Sequence, residues 1–147
     1  MKTYEELIKL ALEARQMAYT PYSHFKVGAA LMTKDGRVYK GCNVESASYT
    51  PTNCAERTAM FKAISEGNTE FSAIAIVGGF EDSKELGLCT PCGVCRQVLR
   101  EFCDDDFKVI LLTGQEDGIN KYEVYDLSEI FPLSFGPVDM RIKPRSR

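Results

Sequence analysis

Histidine is nearly missing from this chain, which has one, His24, in 147 residues. Every site built on two imidazoles is thereby excluded, which removes the His-rich zinc enzymes and leaves any Ser/His arrangement dependent on His24 alone. Long apolar runs are missing too. No stretch approaches the ~20 residues of a membrane span, and the start, MKTYEELIKL, carries acids where a signal peptide needs an apolar run. The expected location is therefore the cytoplasm, with no membrane partner. Positive charge is scarce outside the C-terminus. The net charge is −3, but residues 141–147 hold four basic groups and no acidic one, so residues 1–140 carry −7. Such a body lacks the Lys and Arg excess that phosphate neutralisation requires, and this argues against a nucleic-acid partner. Repeats, low-complexity segments and linkers are absent as well. At about 100–200 residues per domain, the expected organisation is one domain over residues 1–140 and a basic tail over 141–147, read as a solvated terminus.

What is present is a regular alternation of elements. Thr3 and Glu6 have capping-box spacing, and Leu7, Ile8, Ala11, Ala14, Met17 and Ala18 recur at helical spacing, so a first helix is predicted to end before Pro21. The runs 27–33 and 37–44 flank Lys34-Asp35-Gly36, which is hairpin chemistry and predicts an antiparallel pair. A helix is predicted from Cys54 with Gly67 past its end, then a buried strand over 72–77. Pro91 precedes a second helix starting at Cys92, with Val94, Val98, Leu99 and Phe102 as its apolar stripe. A further buried strand at 108–113, a possible strand at 122–125 and a short helix at 127–131 complete the pattern. Two strand, helix, strand crossovers predict an α/β domain with helices covering the sheet.

Six cysteines, at 42, 54, 89, 92, 95 and 103, are the counterweight to the missing histidines. In a reducing compartment they read as thiols or metal ligands rather than a disulfide framework. Cys92 and Cys95 share one helix face and lie at a predicted helix start, where unpaired N–H groups and the dipole favour thiolates. Cys54 occupies the corresponding place on the other predicted helix. Three thiolates with a fourth position open describe a catalytic zinc site, since structural sites close with four protein ligands. Glu56 is the acid nearest that metal, placed for general acid/base work on a metal-activated water. Two blander readings stand beside this one: a redox Cys-x-x-Cys pair, which leaves Cys54 and Glu56 unexplained, and a four-sulfur structural site recruiting Cys89. Cys42 and Cys103 are expected to be buried small apolar residues. Three negative sulfurs make zinc a poorer Lewis acid, and Arg57 is the natural compensator if it donates hydrogen bonds to them. Its alternative is a surface ion pair.

Cys54-Ala55-Glu56 with Pro91-Cys92-Gly93-Val94-Cys95 matches the signature of the zinc deaminases, here with Cys as first ligand. Around it stand Pro21-Tyr22-Ser23-His24-Phe25, Gly41-Cys42-Asn43-Val44-Glu45, Arg96-Gln97-Val98-Leu99 and Ser134-Phe135-Gly136-Pro137. Over nearly its whole length the chain resembles the small homotetrameric cytidine deaminases of pyrimidine salvage. The resemblance implies a single three-layer α/β/α domain with a mixed sheet, one Zn(II) per subunit, and hydrolysis of cytidine and deoxycytidine to uridine, deoxyuridine and ammonia. It further implies that Phe25 packs on the pyrimidine, that Asn43 and Glu45 bind the ribose hydroxyls, and that the Ala55 N–H meets the base carbonyl. Tyr49 and Phe135 match positions that a neighbouring subunit contributes to the pocket. Taken without the resemblance, each of these reads as core, turn, surface or interface. The chain departs from the family in having Ile130-Phe131-Pro132 for a Leu-Leu-Pro and in the extra thiol Cys89, and the resemblance attaches no catalytic role to the position of His24.

Overall fold

Thr3 opens the first helix, α1 (Tyr4–Arg15), in a reciprocal cap: the Glu6 N–H donates to Thr3 Oγ1 at 3.2 Å and the Thr3 N–H to Glu6 Oε2 at 2.7 Å. Two of the orphan donors at the helix start are thereby satisfied. In this computed structural model, which describes residues 1–143, nine further elements follow. They are β1 (Phe25–Thr33), β2 (Val38–Cys42), α2 (Ala55–Ser65), β3 (Phe71–Phe80), α3 (Gly93–Phe102), β4 (Lys108–Glu116), β5 (Ile119–Asp126), α4 (Leu127–Ile130) and a 3-10 turn, Pro137–Met140. The strands form one sheet in the order β2-β1-β3-β4-β5. Of the neighbouring pairs only β3 and β4 are parallel, joined by the crossover through α3, so the sheet is mixed.

Successive side chains of a strand point to opposite faces, and both faces of this sheet are covered. Ala29, Leu31, Ile74, Ile76, Val109 and Leu111 face one core with Ala59, Met60 and Ala63 of α2 and Leu99 of α3. Ala30, Met32, Ala75, Val77, Ile110 and Leu112 face the other with Leu7, Ile8 and Ala11 of α1. The three layers are thus α1, the sheet, and α2 with α3. Burying each of the large side chains contributes about 1.5–3 kcal/mol. Two glycines set how closely the outer layers approach. A Cβ on Gly28 would come within 2.0 Å of the Ala11 carbonyl oxygen, and one on Gly41 within 2.4 Å of that of Ala55. Gly41 therefore lets the start of α2 lie directly on β2.

Four expectations need correction. The first helix ends at Arg15 rather than continuing through Met17 and Ala18, and Met17 is 77% exposed. The chain leaves the helix because Tyr19 pairs with the segment after β2: its N–H donates to Asn43 O and its carbonyl accepts from Glu45 N. On α3 the inward stripe is Cys95 and Leu99 with Val98 and Phe102 at its margin, and Val94 faces outward. Cys103 is buried, but Cys42, on the outermost strand β2, is only half-buried. The strand at 122–125 extends to Ile119–Asp126 because Asp117 and Gly118 both have positive φ, 51° and 76°, a two-residue hairpin turn. Of the basic tail, residues 144–147 lie outside the described residues.

Candidate metal centre and active site

Two helix starts meet on one side of the sheet, and each is capped by a cysteine. Cys54 is the N-cap of α2 and Cys92 the N-cap of α3, both with extended backbone, and Cys95 lies one turn inside α3. Pro91 cannot donate a backbone hydrogen bond and breaks any helix before Cys92. Among the described residues, Cys54, Cys92 and Cys95 form a group whose sulfurs all lie within 4.8 Å of one another. Cys54 Sγ and Cys92 Sγ are 3.9 Å apart. At the ~2.3 Å Zn–S distance of a tetrahedral site, the sulfurs stand about 3.8 Å from one another, so the arrangement fits zinc. Cys95 is buried, Cys54 half-buried and Cys92 exposed, which leaves the open side of the group next to Cys92. Cys89 stands outside the group. It is half-buried in the loop before Pro91, against Gly78, where a Cβ would come within 2.6 Å of its sulfur.

The electrostatics follow from this crowding. The pKa of Cys54 falls to about 5: the Cys95 thiol donates to its sulfur, burial opposes, and Arg57 assists. Cys95 is pushed up because it is that proton's donor and is buried beside the charges of Glu56 and Cys54. Burial pushes Cys89 up to about 11, helped by the charges of Glu56 and Cys54. Arg57, three residues after Cys54 and so on the same helix face, donates from Nη2 to Cys54 Sγ at 3.3 Å. Its Nε is buried with no hydrogen-bond partner among the described residues. Glu56 is 4% exposed, and burial raises its pKa, with Cys54 adding to the rise and its own backbone N–H and the Cys95 thiol opposing. A carboxyl in that state accepts and returns a proton near neutrality more readily than a solvated one.

The remaining expected residues lie at the start of α2, at the start of β1, in the segment after β2 and ahead of the 3-10 turn. Ala55 is the first residue of α2, where backbone N–H groups have no intrahelical partner, and it is fully buried. Phe25, at the start of β1, packs edge-to-face on Phe80 with centroids 5.1 Å apart. Asn43 clamps β1: Oδ1 accepts from the Val27 N–H and Nδ2 donates to the Phe25 carbonyl, both at 2.8 Å. Glu45 accepts from the N–H groups of Tyr22 and Ser23 and from the Ser23 hydroxyl. Both side chains thus address the segment leading to Phe25. Tyr49 is 73% exposed and stacks edge-on against Tyr22, across a cavity of about 390 Å³ that Ser23, Glu45 and Thr52 also line. Phe135 is 61% exposed, its carbonyl held by Gln97 of α3 and its neighbour Ser134 by Arg100. His24 pairs with Glu81 on the exposed surface, Nδ1 to Oε1 3.2 Å. Ser23, which the sequence offered only as a member of the motif Pro21-Tyr22-Ser23-His24-Phe25, joins Glu45 to the Phe25 N–H through its hydroxyl.

Residues 1–111 match the family model described as the cytidine and deoxycytidylate deaminase zinc-binding region. The chain belongs to this deaminase family. A protein named cytidine deaminase from Halalkalibacterium halodurans is 51% identical over 91% of the chain and 95% of its own length. Another of that name, from Sporosarcina psychrophila, is 44% identical over 92% and 93%. Among solved structures, a cytidine deaminase from Burkholderia pseudomallei aligns with a TM-score of 0.79 at 46% identity, covering 91% of this chain and all of that one. The deaminase fold expected from the sequence is the one observed, and zinc is the metal that its family and its three cysteines indicate.

Proposed function

We infer that this chain is a cytidine deaminase, a zinc-dependent hydrolase that converts cytidine and deoxycytidine to uridine and deoxyuridine with release of ammonia, and that it serves pyrimidine salvage. The observation that carries the reading is a buried carboxyl, Glu56, beside three convergent sulfurs at two helix starts. Cys54, Cys92 and Cys95 would hold the metal. When bound there, zinc supplies the Lewis acidity that makes a water deprotonate near neutral pH. Glu56 takes the proton of the attacking water and delivers it to ring N3 as oxygen adds to C4. The same carboxyl then carries a proton to the departing amino group. The Ala55 N–H receives the base carbonyl, Phe25 packs on the ring, and Asn43 and Glu45 receive the ribose hydroxyls. Arg57 offsets the negative charge of the thiolates by its bond to Cys54.

The resemblance to the small cytidine deaminases assigns the chain to a homotetramer, and the exposure of Tyr49 and Phe135, the positions that would complete a neighbour's pocket, supports that reading. The same reading takes the nucleoside as the small-molecule partner, with no nucleic acid and no membrane, in the cytoplasm. Among the described residues no helix is long and apolar enough to cross a membrane. Residues 1–140 form the catalytic domain and 141–147 the basic tail. Purified protein mixed with cytidine should release ammonia while holding one zinc per chain. Zinc without turnover of any cytosine nucleoside would point instead to a zinc-binding interaction domain.

A further inference from the structure

The segment 20–25 is tied down more thoroughly than an exposed turn requires. His24 has a positive φ of 58°, its N–H donates to Thr20 O at 3.0 Å, and its carbonyl accepts from the Glu81 N–H at 2.8 Å. Inside that turn a single hydroxyl makes two different bonds. Ser23 Oγ donates its proton to Glu45 Oε2 and accepts from the Phe25 N–H at 3.0 Å. Glu45 Oε1 is meanwhile occupied by the N–H groups of Tyr22 and Ser23, each at 3.1 Å. An ionised carboxylate has about four lone-pair positions. Three are taken here, which leaves one on Oε2, the oxygen that Ser23 holds. The direction of that remaining acceptor is therefore set by the serine.

We propose that Ser23 is a positioning residue for the sugar subsite, its hydroxyl fixing Glu45 Oε2 toward the ribose while the Phe25 N–H holds that hydroxyl in place. This rests on the sugar role of Glu45 given above. Without the serine hydroxyl the carboxylate keeps its two main-chain bonds at Oε1 but can pivot about them, so Oε2 meets the ribose only part of the time, which costs binding rather than chemistry. Glu56 and the cysteines lie on other elements and are not touched by the change.

The test is Ser23→Ala, Ser23→Thr and Glu45→Ala, each compared by the KM and kcat for cytidine and by the inhibition constant of 2′,3′-dideoxycytidine, which lacks both ribose hydroxyls. Loss of one hydrogen bond to a charged group predicts a KM for cytidine raised about 10-fold in S23A, with kcat within about twofold of the parent. The inhibition constant of the dideoxy analogue should rise about threefold or less, and S23T should restore the parent values. An equal loss for both ligands, or a fall in kcat at unchanged KM, overturns the proposal. If S23A does not fold, Ser23→Cys, a weaker donor of similar size, carries the same comparison. E45A separates the two ideas. If it leaves the preference for cytidine over the dideoxy analogue intact, the sugar assignment of Glu45 is wrong, whereas if E45A abolishes that preference and S23A leaves it unchanged, only the serine inference is lost.

Discussion

Glu56 and Arg57 are neighbours in the chain with opposite environments, and the contrast explains how one helix start serves two purposes. The Glu56 side chain is buried and its pKa raised by desolvation, while Arg57 reaches Cys54 with one nitrogen. On the proposed mechanism Glu56 moves protons in successive steps, which a group that only occupies space cannot do. Glu56→Ala should lower kcat by at least the ~10²–10⁴ of a general acid/base, with the zinc content, read by metal analysis, unchanged. Near-normal turnover would remove Glu56 from the chemistry. That Cys92 and Cys95 share a face was readable from spacing, because helical geometry brings i and i+3 together, and the structure adds Cys54 to their group. The bonds of Asn43 and Glu45 were not readable, since each depends on where the segment 20–27 passes in space.

At the level of elements, the site depends on how closely α2 lies on the sheet. The small residues Ala55, Ala59 and Ala63 line the inner face of α2, and Gly41 of β2 receives it without a side chain. Gly41→Ala would place a methyl group 2.4 Å from Ala55 O and 2.5 Å from Ala59 N, both backbone atoms with little freedom to move. Overpacking of this kind costs about 1–3 kcal/mol. Urea denaturation should show the loss, and the displaced helix start should carry Cys54 away from Cys92 and lower the zinc content. Full occupancy with unchanged stability would mean that α2 is not held by this contact. Helix and strand identities were legible from periodicity and capping, whereas the end of α1 was not. Tyr19 leaves the helical pattern to pair with residues more than twenty positions later, a competition invisible to local propensity.

For the whole molecule, the metal-free chain should show a pH dependence set by its thiols. Cys54 titrates at about 5 in the folded chain, chiefly because the Cys95 thiol donates to it, against an ordinary value of 9.0. Between those values the unfolded chain holds a proton that the folded chain has released, so stability rises with pH across the window and is lost as pH falls through about 5. Glu56, raised by burial, gives the opposite slope above the ordinary carboxyl range, and Cys89, raised to about 11, does so above the ordinary thiol value. Denaturation of the chelator-treated protein at about pH 6 and about pH 8 should therefore show a rise with pH relative to Cys54→Ser. Parallel curves for the two proteins would contradict it. Assembly is tested at the same scale. Light scattering should give about four times the 16.4 kDa chain mass, and full activity at the mass of one chain would contradict a pocket completed by Tyr49 and Phe135 of a neighbour.

The sequence by itself determined the chemistry available to this protein. With one histidine and a Cys-Ala-Glu followed by a Cys-x-x-Cys, the metal site has to be built of thiolates, and the acid beside them is Glu56. It also determined the order of helices and strands, because period and capping are local properties. Only the tertiary structure decided that the two helix starts meet within sulfur-to-sulfur contact, that Cys89 stays outside the group, and that Ser23 joins Glu45 to Phe25. Those are distances between segments far apart in the chain or folded back by a turn. They follow from how closely glycines let the layers approach and from which polar atoms the packed chain leaves within reach of one another.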